Sequence, residues 1–335
     1  MRRLAAFLLL TAAAAFAVDG TVINRTTGKP QAGADIDLYK IGQAGSERLE
    51  STKADAAGRF SFKATLEPGP HLIEIDHAGV TYYTMIPPGR PSTGLQVNVF
   101  DSSKEPGAAQ VSQHMIFLEP SAQQLAVTET YFFKNDGTVT YDNPDTGTLR
   151  FYAPAAAKDS LHVNATEPGG LPLARFPDDT KQAGVRKLSF PIKPGETRID
   201  INYTLPFSNP GKFSSKVFYQ GAPTRLAVPN GVTLQGDGIQ SLGQEPQTQA
   251  ALYETRATAF EVAISGTGSL RAAQNANAGD SGGGDDSGPS ITVILPPGFE
   301  DHQMAILALA LVALALGFVL LYRKRPAAAR DKSRS

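Results

Sequence analysis

The chain of 335 residues contains no cysteine. That absence excludes disulfides, thiolate metal sites, a cysteine nucleophile and a lipid-modified N-terminal cysteine. It also bears on origin, because eukaryotic ectodomains of this size commonly staple themselves with disulfides; an exported chain without any reads as bacterial. An excess of one charge sign is lacking too. With 31 Lys and Arg against 32 Asp and Glu, the formal net charge is -1. No long basic run occurs before Arg323, which argues against nucleic acid as a partner. The five histidines, His71, His77, His114, His162 and His302, show neither HxH nor HExxH spacing, so no zinc site is implied. Helical periodicity of useful length is missing between Val18 and Leu270.

Two apolar segments stand out against this background. Arg2 and Arg3 precede a short apolar run from Leu4 to Phe16, and Ala15-Phe16-Ala17 supplies the small-x-small pattern of a signal-peptidase site. Residues 1–17 are therefore expected to be a signal peptide cleaved after Ala17, with Ala15 and Ala17 as the recognition residues. From Met304 to Tyr322 the chain reads MAILALALVALALGFVLLY. At about 1.5 Å per residue this uncharged run matches the roughly 30 Å of a bilayer core. Glu300 and Asp301 flank one side; Arg323, Lys324, Arg325 and Arg330 flank the other. The positive-inside rule then places residues 323–335 in the cytoplasm and the body outside, a type I arrangement. Leu295-Pro296-Pro297-Gly298-Phe299 lacks the threonine of an LPxTG sorting signal and reads as a stiff turn above the membrane.

Between these segments, short alternating runs rich in Val, Ile, Tyr, Phe and Thr recur between Gly, Pro, Asn and Asp clusters, the pattern of antiparallel β-sandwiches. The expected fold is all-β, with two β-sandwich domains at residues 18–100 and 111–270 plus one C-terminal transmembrane helix. In the first domain strands are expected at Gly20 to Asn24, Ala34 to Lys40, Leu49 to Lys53, Arg59 to Thr65, Gly69 to His77, Val80 to Ile86 and Gln96 to Phe100. Phe60 and Phe62 alternate with polar neighbours and should face the core together, as should His71, Ile73 and Ile75. Gly28 and Gly58 sit where tight turns need positive φ, and Asp55 is placed to accept backbone donors. The pieces Gly20-x-Val22, Thr27-Gly28-x-Pro30, Gly33, Ile36-x-Leu38, Asp55-x-x-Gly58-x-Phe60-x-Phe62, Pro68-Gly69 and Gly79 resemble the carboxypeptidase regulatory-like (transthyretin-like) domains. This resemblance implies a seven-stranded Greek-key sandwich, an accessory module without catalytic residues. Pro70 and His71 depart from the family pattern after Gly69, at a strand edge.

The second domain follows a connection through Pro87 to Gly94 and Asp101 to Ala108. Its strands are expected at Gln113 to Leu118, Gln124 to Lys134, Gly147 to Tyr152, Leu161 to Asn164, Val185 to Pro191, Thr197 to Leu205, Lys216 to Tyr219, Thr224 to Val228 and Thr258 to Ser265. A larger, Ig-like sandwich is the expectation, and Arg198 to Leu205 alternates almost perfectly. Asn135-Asp136-Gly137 signals a turn. Residues 271–295, dominated by Ala, Gly, Ser, Asn and Asp, read as a flexible Gly/Ser/Asp linker.

Motifs that could carry chemistry fare poorly. Gly279-Asp280-Ser281-Gly282-Gly283 reproduces the letters around a serine-protease nucleophile, but a linker supplies neither an oxyanion hole nor a histidine. Asp280, Asp285 and Asp286 fit no calcium loop, and Asp142-Asn143-Pro144-Asp145 reads as a turn rather than a metal loop. Asp178-Asp179 with Glu129 would make a glycosidase pair only at a suitable carboxylate separation. Of Tyr82 and Tyr83, and of Phe218 and Tyr219, one of each pair should point inward. No catalytic, cofactor-binding or metal-binding residue is assigned. The expectation is a non-enzymatic, membrane-anchored envelope protein that binds or scaffolds a protein or polysaccharide partner; the alternatives are an envelope hydrolase acting on extracellular polymers and an accessory subunit of a membrane partner.

Overall fold

Alternation of apolar and polar residues over four to twelve positions dictates strands, and strands are what form. The computed structural model describes residues 18–42 and 45–270. The expected signal peptide with Ala15 and Ala17, the linker, the span from Met304 to Tyr322 and the basic tail lie outside the described residues. Among the described residues no helix is long and apolar enough to cross a membrane.

Eight strands make up the N-terminal part: β1 (Val18–Asn24), β2 (Lys29–Pro30), β3 (Asp35–Gly42), β4 (Gly45–Lys53), β5 (Arg59–Phe62), β6 (His71–His77), β7 (Val80–Ile86) and β8 (Leu95–Val99). One sheet is centred on β1, which pairs with β8 in parallel and with β5 and β2 antiparallel; the other runs β4-β3-β6-β7. The two share one core, in which Phe60, Phe62, Ile73 and Ile75 are buried as alternation demands. The strand beyond the seven expected is the two-residue β2, held where Gly28 adopts φ 72°. Gly58 adopts φ 71°, and Asp55 Oδ1 accepts the amides of Ala57 and Arg59, each at 2.8 Å. Gly20 admits no side chain, since a Cβ there would sit 2.3 Å from the Leu95 carbonyl oxygen of the parallel neighbour.

The second part contains β9 (Ser102–Ser103), β10 (Ala109–Pro120), β11 (Gln124–Asn135), β12 (Thr140–Tyr141), β13 (Leu149–Tyr152), a 3-10 turn at Ala155–Ser160, β14 (His162–Thr166), β15 (Leu173–Arg175), β16 (Asp178–Asp179), β17 (Val185–Leu188), β18 (Gly195–Pro206), β19 (Gly211–Lys216), β20 (Thr224–Val228), β21 (Thr233–Gln235), β22 (Gln240–Gln244), β23 (Ala251–Thr255) and β24 (Ala259–Ser265). Eight of them form one sheet in the order β15-β14-β18-β11-β10-β20-β23-β22. Where an Ig-like sandwich would have one opposing sheet, there are two three-stranded sheets, β13-β17-β16 and β19-β24-β21. Leu149 and Phe151 from the first, Phe213 and Val262 from the second, and Ile116, Val127 and Ile201 from the large sheet meet in a single core. Each such side chain contributes roughly 1.5–3 kcal/mol by leaving water.

Several boundaries differ from expectation for identifiable reasons. β19 covers Gly211–Lys216 instead of Lys216 to Tyr219, because Phe213 and Ser215 turn inward against β24 while Tyr219 leaves the sheet to meet Thr224. β22 and β23 escaped detection because one is exposed throughout and the other mostly half-buried, so neither alternates clearly. Asn135 does cap a turn, accepting the Gly137 amide at 3.0 Å, but its amide group also bridges to the carbonyls of Val139 and Ile192.

The connection between the two parts is clipped at several points. β9 pairs in parallel with β12, Thr140 N donates to Asp101 O, and Tyr82 Oη, within the first core, meets Thr140 Oγ1 at 2.9 Å. Asp101 accepts from Asn24 Nδ2 at 2.8 Å and lies 2.9 Å from His77 Nε2, contacts that hold its carboxyl below the usual range. Buried Lys193 closes the joint. Its ammonium donates to Thr81 O at 2.6 Å, pairs with Glu167, and lies 4.9 Å and 5.3 Å from the ring centres of Tyr82 and Tyr83. Burial lowers the Lys193 pKa against the opposing pull of Glu167. Lys193→Met should therefore destabilise the chain by about 3 kcal/mol in urea unfolding, because a buried carboxylate loses its partner. Adding Glu167→Gln should recover part of that loss.

Candidate functional site

Period-two alternation assigns every residue of a strand to one face. On β11, Leu125, Val127, Tyr131 and Phe133 face the core, and Glu129 shares their phase. On β10 a bulge between Val111 and Gln113 shifts the register by one residue, which turns His114 inward together with Ile116 and Leu118. The result is a buried polar cluster. His114 Nε2 lies 2.7 Å from Glu129 Oε1 and Nδ1 lies 3.0 Å from Thr224 Oγ1 on β20, and the His114 and Glu129 side chains are wholly buried.

Hydrogen-bond roles follow by elimination. A carboxylate only accepts, so Nε2 donates to Glu129, and in a neutral ring Nδ1 accepts from Thr224. Thr224 then accepts from Tyr219 Oη at 3.3 Å, while Tyr131 Oη donates to Glu129 at 2.5 Å. The Tyr131 ring stacks on His114 with centroids 4.1 Å apart, and Tyr219 stands edge-on to both. Burial, reinforced by the charge of Glu129, pushes the Tyr131 and Tyr203 phenols well above their ordinary value and Tyr219 up to about 12. Glu129 Oε2 and Tyr203 Oη have no hydrogen-bond partner among the described residues. A hollow of about 210 Å³, bordered by Tyr219, Thr224, Thr255 and Arg256, opens above the cluster. The arrangement fits a polar plug that locks β10, β11 and β20 together.

The outer face of the same sheet is different. Cross-strand pairing places His162, Asn202, Thr128 and Phe117 in one row across β14, β18, β11 and β10. Beside that row a groove of about 580 Å³ is lined by Glu119, Gln124, Thr128, His162, Asn202 and Thr204, among others. Its polar groups are held in place. Thr128 Oγ1 donates to Asn202 Oδ1 at 2.9 Å, leaving the Asn202 amide hydrogens without a partner among the described residues. His162 Nδ1 donates to Ser160 O at 2.8 Å, which leaves Nε2 as the outward acceptor of a neutral ring. Glu119 Oε1 accepts from Ser269 Oγ at 2.9 Å and Leu270 N at 2.7 Å, so the last described residues form one wall.

The residues weighed from the sequence scatter. Glu129 is sealed in the core, whereas Asp178 and Asp179 are exposed on β16 and pair with Lys187 and Arg186; they form no carboxylate pair. Asp142 to Asp145 form a turn, with Thr146 N donating to Asn143 Oδ1 and Asp145 paired to Lys104. Tyr82 points inward and Tyr83 outward, as expected; Tyr219 packs against the core while Phe218 is exposed. His114 and Glu129 were missed as partners. The available signal was the inward phase of Glu129 between Val127 and Tyr131. No group of three or more His, Asp or Glu placed to hold a metal ion occurs among the described residues.

No family model matches the chain, and no curated protein matches it. Among solved structures it is similar to an M1 zinc metallopeptidase from Deinococcus radiodurans, at 13% identity over 47% of this chain with a TM-score of 0.26. A mutant of that enzyme bound to a Tyr-Ser-Ala substrate matches at 14% identity and the same TM-score. The chain spans 42% of the length of those enzymes. A likeness this slight defines neither fold nor activity.

Two outcomes follow from the buried cluster. Glu129→Leu alone should cost about 3 kcal/mol by stranding His114 and Tyr131, while His114→Phe and Tyr131→Phe combined with Glu129→Leu should come close to wild-type stability in urea titrations. Raised phenol pKa values mean that the folded state keeps protons the unfolded chain has released. The contribution of Tyr82, Tyr131, Tyr203 and Tyr219 is thus complete below pH 10 and lost as pH climbs toward 12 and beyond. Unfolding at pH 9, 10 and 11, followed by phenolate absorbance, should show declining stability, with these tyrosines ionising only as the fold opens.

Proposed function

We propose that the chain is an exported, single-pass envelope protein whose β-sandwich body binds or scaffolds a protein or polysaccharide partner. In this reading the leader is removed after Ala17, the span runs from Met304 to Tyr322, residues 271–295 tether the body, and the N-terminal sandwich is an accessory module of the carboxypeptidase regulatory-like kind. Support for that module comes from its turn chemistry, with Asp55, Gly28 and Gly58 acting where the matching pieces lie.

The observation that carries the binding reading is the groove on the outer face of the eight-stranded sheet. Its polar side chains are hydroxyls, amides, one imidazole and the Glu119 carboxylate, several of them on the fully paired strands β11 and β18, which makes it pre-formed. Glycoside hydrolysis needs two carboxylates flanking the scissile bond. Among the described residues Glu119 is the sole carboxylate lining this groove, and one of its oxygens is already engaged.

Topology and activity are tested separately. A fluorescent protein fused after Ser335 should fluoresce and alkaline phosphatase fused there should be inactive; the reverse result would overturn the orientation. Incubating the full chain with purified envelope polymers should release no new reducing ends, and crosslinking in the native membrane should capture envelope components. Polymer cleavage, or capture of cytoplasmic proteins alone, would sink the binding reading.

A further inference from the structure

We infer that the outer groove of the eight-stranded sheet is a subsite for a neutral glycan chain, with Asn202 and His162 as its principal recognition residues. The inference rests on the binding reading above and narrows its ligand to one class.

Charge excludes the first alternative. Among the described residues no Lys or Arg lines the groove and Glu119 is its one ionisable acid, so a phosphate- or carboxylate-bearing polymer would meet no cation and one repelling group there. Among the described residues no Trp, Tyr or Arg side chain is directed into the groove, which argues against a protein anchor. The hot spots of protein interfaces are buried Trp, Tyr and Arg side chains in pockets; Tyr203, the groove's one aromatic residue, has its side chain turned into the core. What the groove presents is a set of hydrogen-bonding groups of both polarities, two of them, Asn202 and His162, oriented by a bond to the protein. Asn202 offers two amide hydrogens, His162 Nε2 offers a lone pair, and Gln124 and Thr204 add an amide and a hydroxyl at the rim. Alternating donors and acceptors, fixed in direction and free of net positive charge, suit the vicinal hydroxyls of a sugar.

Geometry supplies the length. The row His162, Asn202, Thr128 and Phe117 crosses four neighbouring strands. At about 4.8 Å between strands its three groove-lining members, His162, Asn202 and Thr128, span roughly 10 Å, enough for about two pyranose rings rather than a single one. Half-buried Phe117, directly opposite Thr128, continues the row on the same face beyond the groove's lining, where the apolar side of a further sugar can rest.

The test uses the full chain in nanodiscs with four probes: cellohexaose, maltohexaose, chitohexaose and, as the acidic comparison, a hexamer of galacturonate. Titration calorimetry should detect at least one neutral hexasaccharide. Asn202→Ala and His162→Ala should each weaken it about tenfold, the effect of losing one hydrogen bond. Gln124→Ala, at an exposed strand end, should weaken binding less and leaves the fold intact if the other variants fail. No binding by the neutral probes at millimolar concentration, tighter binding of the galacturonate hexamer, or affinity unchanged in all three variants would overturn the inference. Those results would leave the topology and crosslinking outcomes standing, so failure of the glycan assignment is distinguishable from failure of the broader reading.

Discussion

The antiparallel pairing of β11 with β18, unbroken from Gln124 opposite Pro206 to Asn135 opposite Gly195, is the constraint on which the second part of the molecule depends. A register with no interruption over that length locks two faces at once, since a slip of one residue would exchange them. Inward go Val127, Tyr131, Ile199 and Ile201 with the polar guest Glu129; outward go Thr128, Thr130, Asp200 and Asn202. The core and the groove are therefore two consequences of one ladder. Outer-face bonds such as Thr128 to Asn202 and Thr130 to Asp200 reinforce the same register from the solvent side.

Against that rigid ladder, the bulge in β10 has a specific effect. Ala109 and Val111 face inward before it, and His114, Ile116 and Leu118 face inward after it. Without the extra residue, Met115 and Phe117 would point into the core and His114 out. The bulge thus delivers the imidazole to Glu129 and leaves Phe117 on the outer face. A buried carboxylate is costly to desolvate, and its retention here is consistent with specifying how β10, β11 and β20 align.

A second polar device works at the joint. Lys193 on the loop before β18 reaches across to Thr81 O, with Glu167 and two tyrosine rings completing its surroundings. Together with the β9–β12 pairing, this makes the connection from Asp101 to Ala108 part of the packed body. Proline and glycine in that stretch suggested a linker; the backbone pairing that orders it involves residues dozens of positions away, which composition does not register.

Several features were determined by the sequence alone. The all-β class follows from period-two patterning, and the inward faces of β5, β6 and most of β18 follow because only one phase of each is apolar. The turns at Gly28, Gly58 and Asp55 follow from local backbone chemistry. Where both phases are apolar, as in His114 to Leu118, local pattern leaves the face open, and only the tertiary register decided it. Long-range juxtapositions lay equally beyond reach. His114 and Thr224 are separated by 110 positions, and Thr128 and Asn202 by 74. The order of strands in a sheet depends on the summed burial of many side chains, not on any one segment; the plug and the groove therefore became visible only when β10, β11, β18 and β20 were brought side by side.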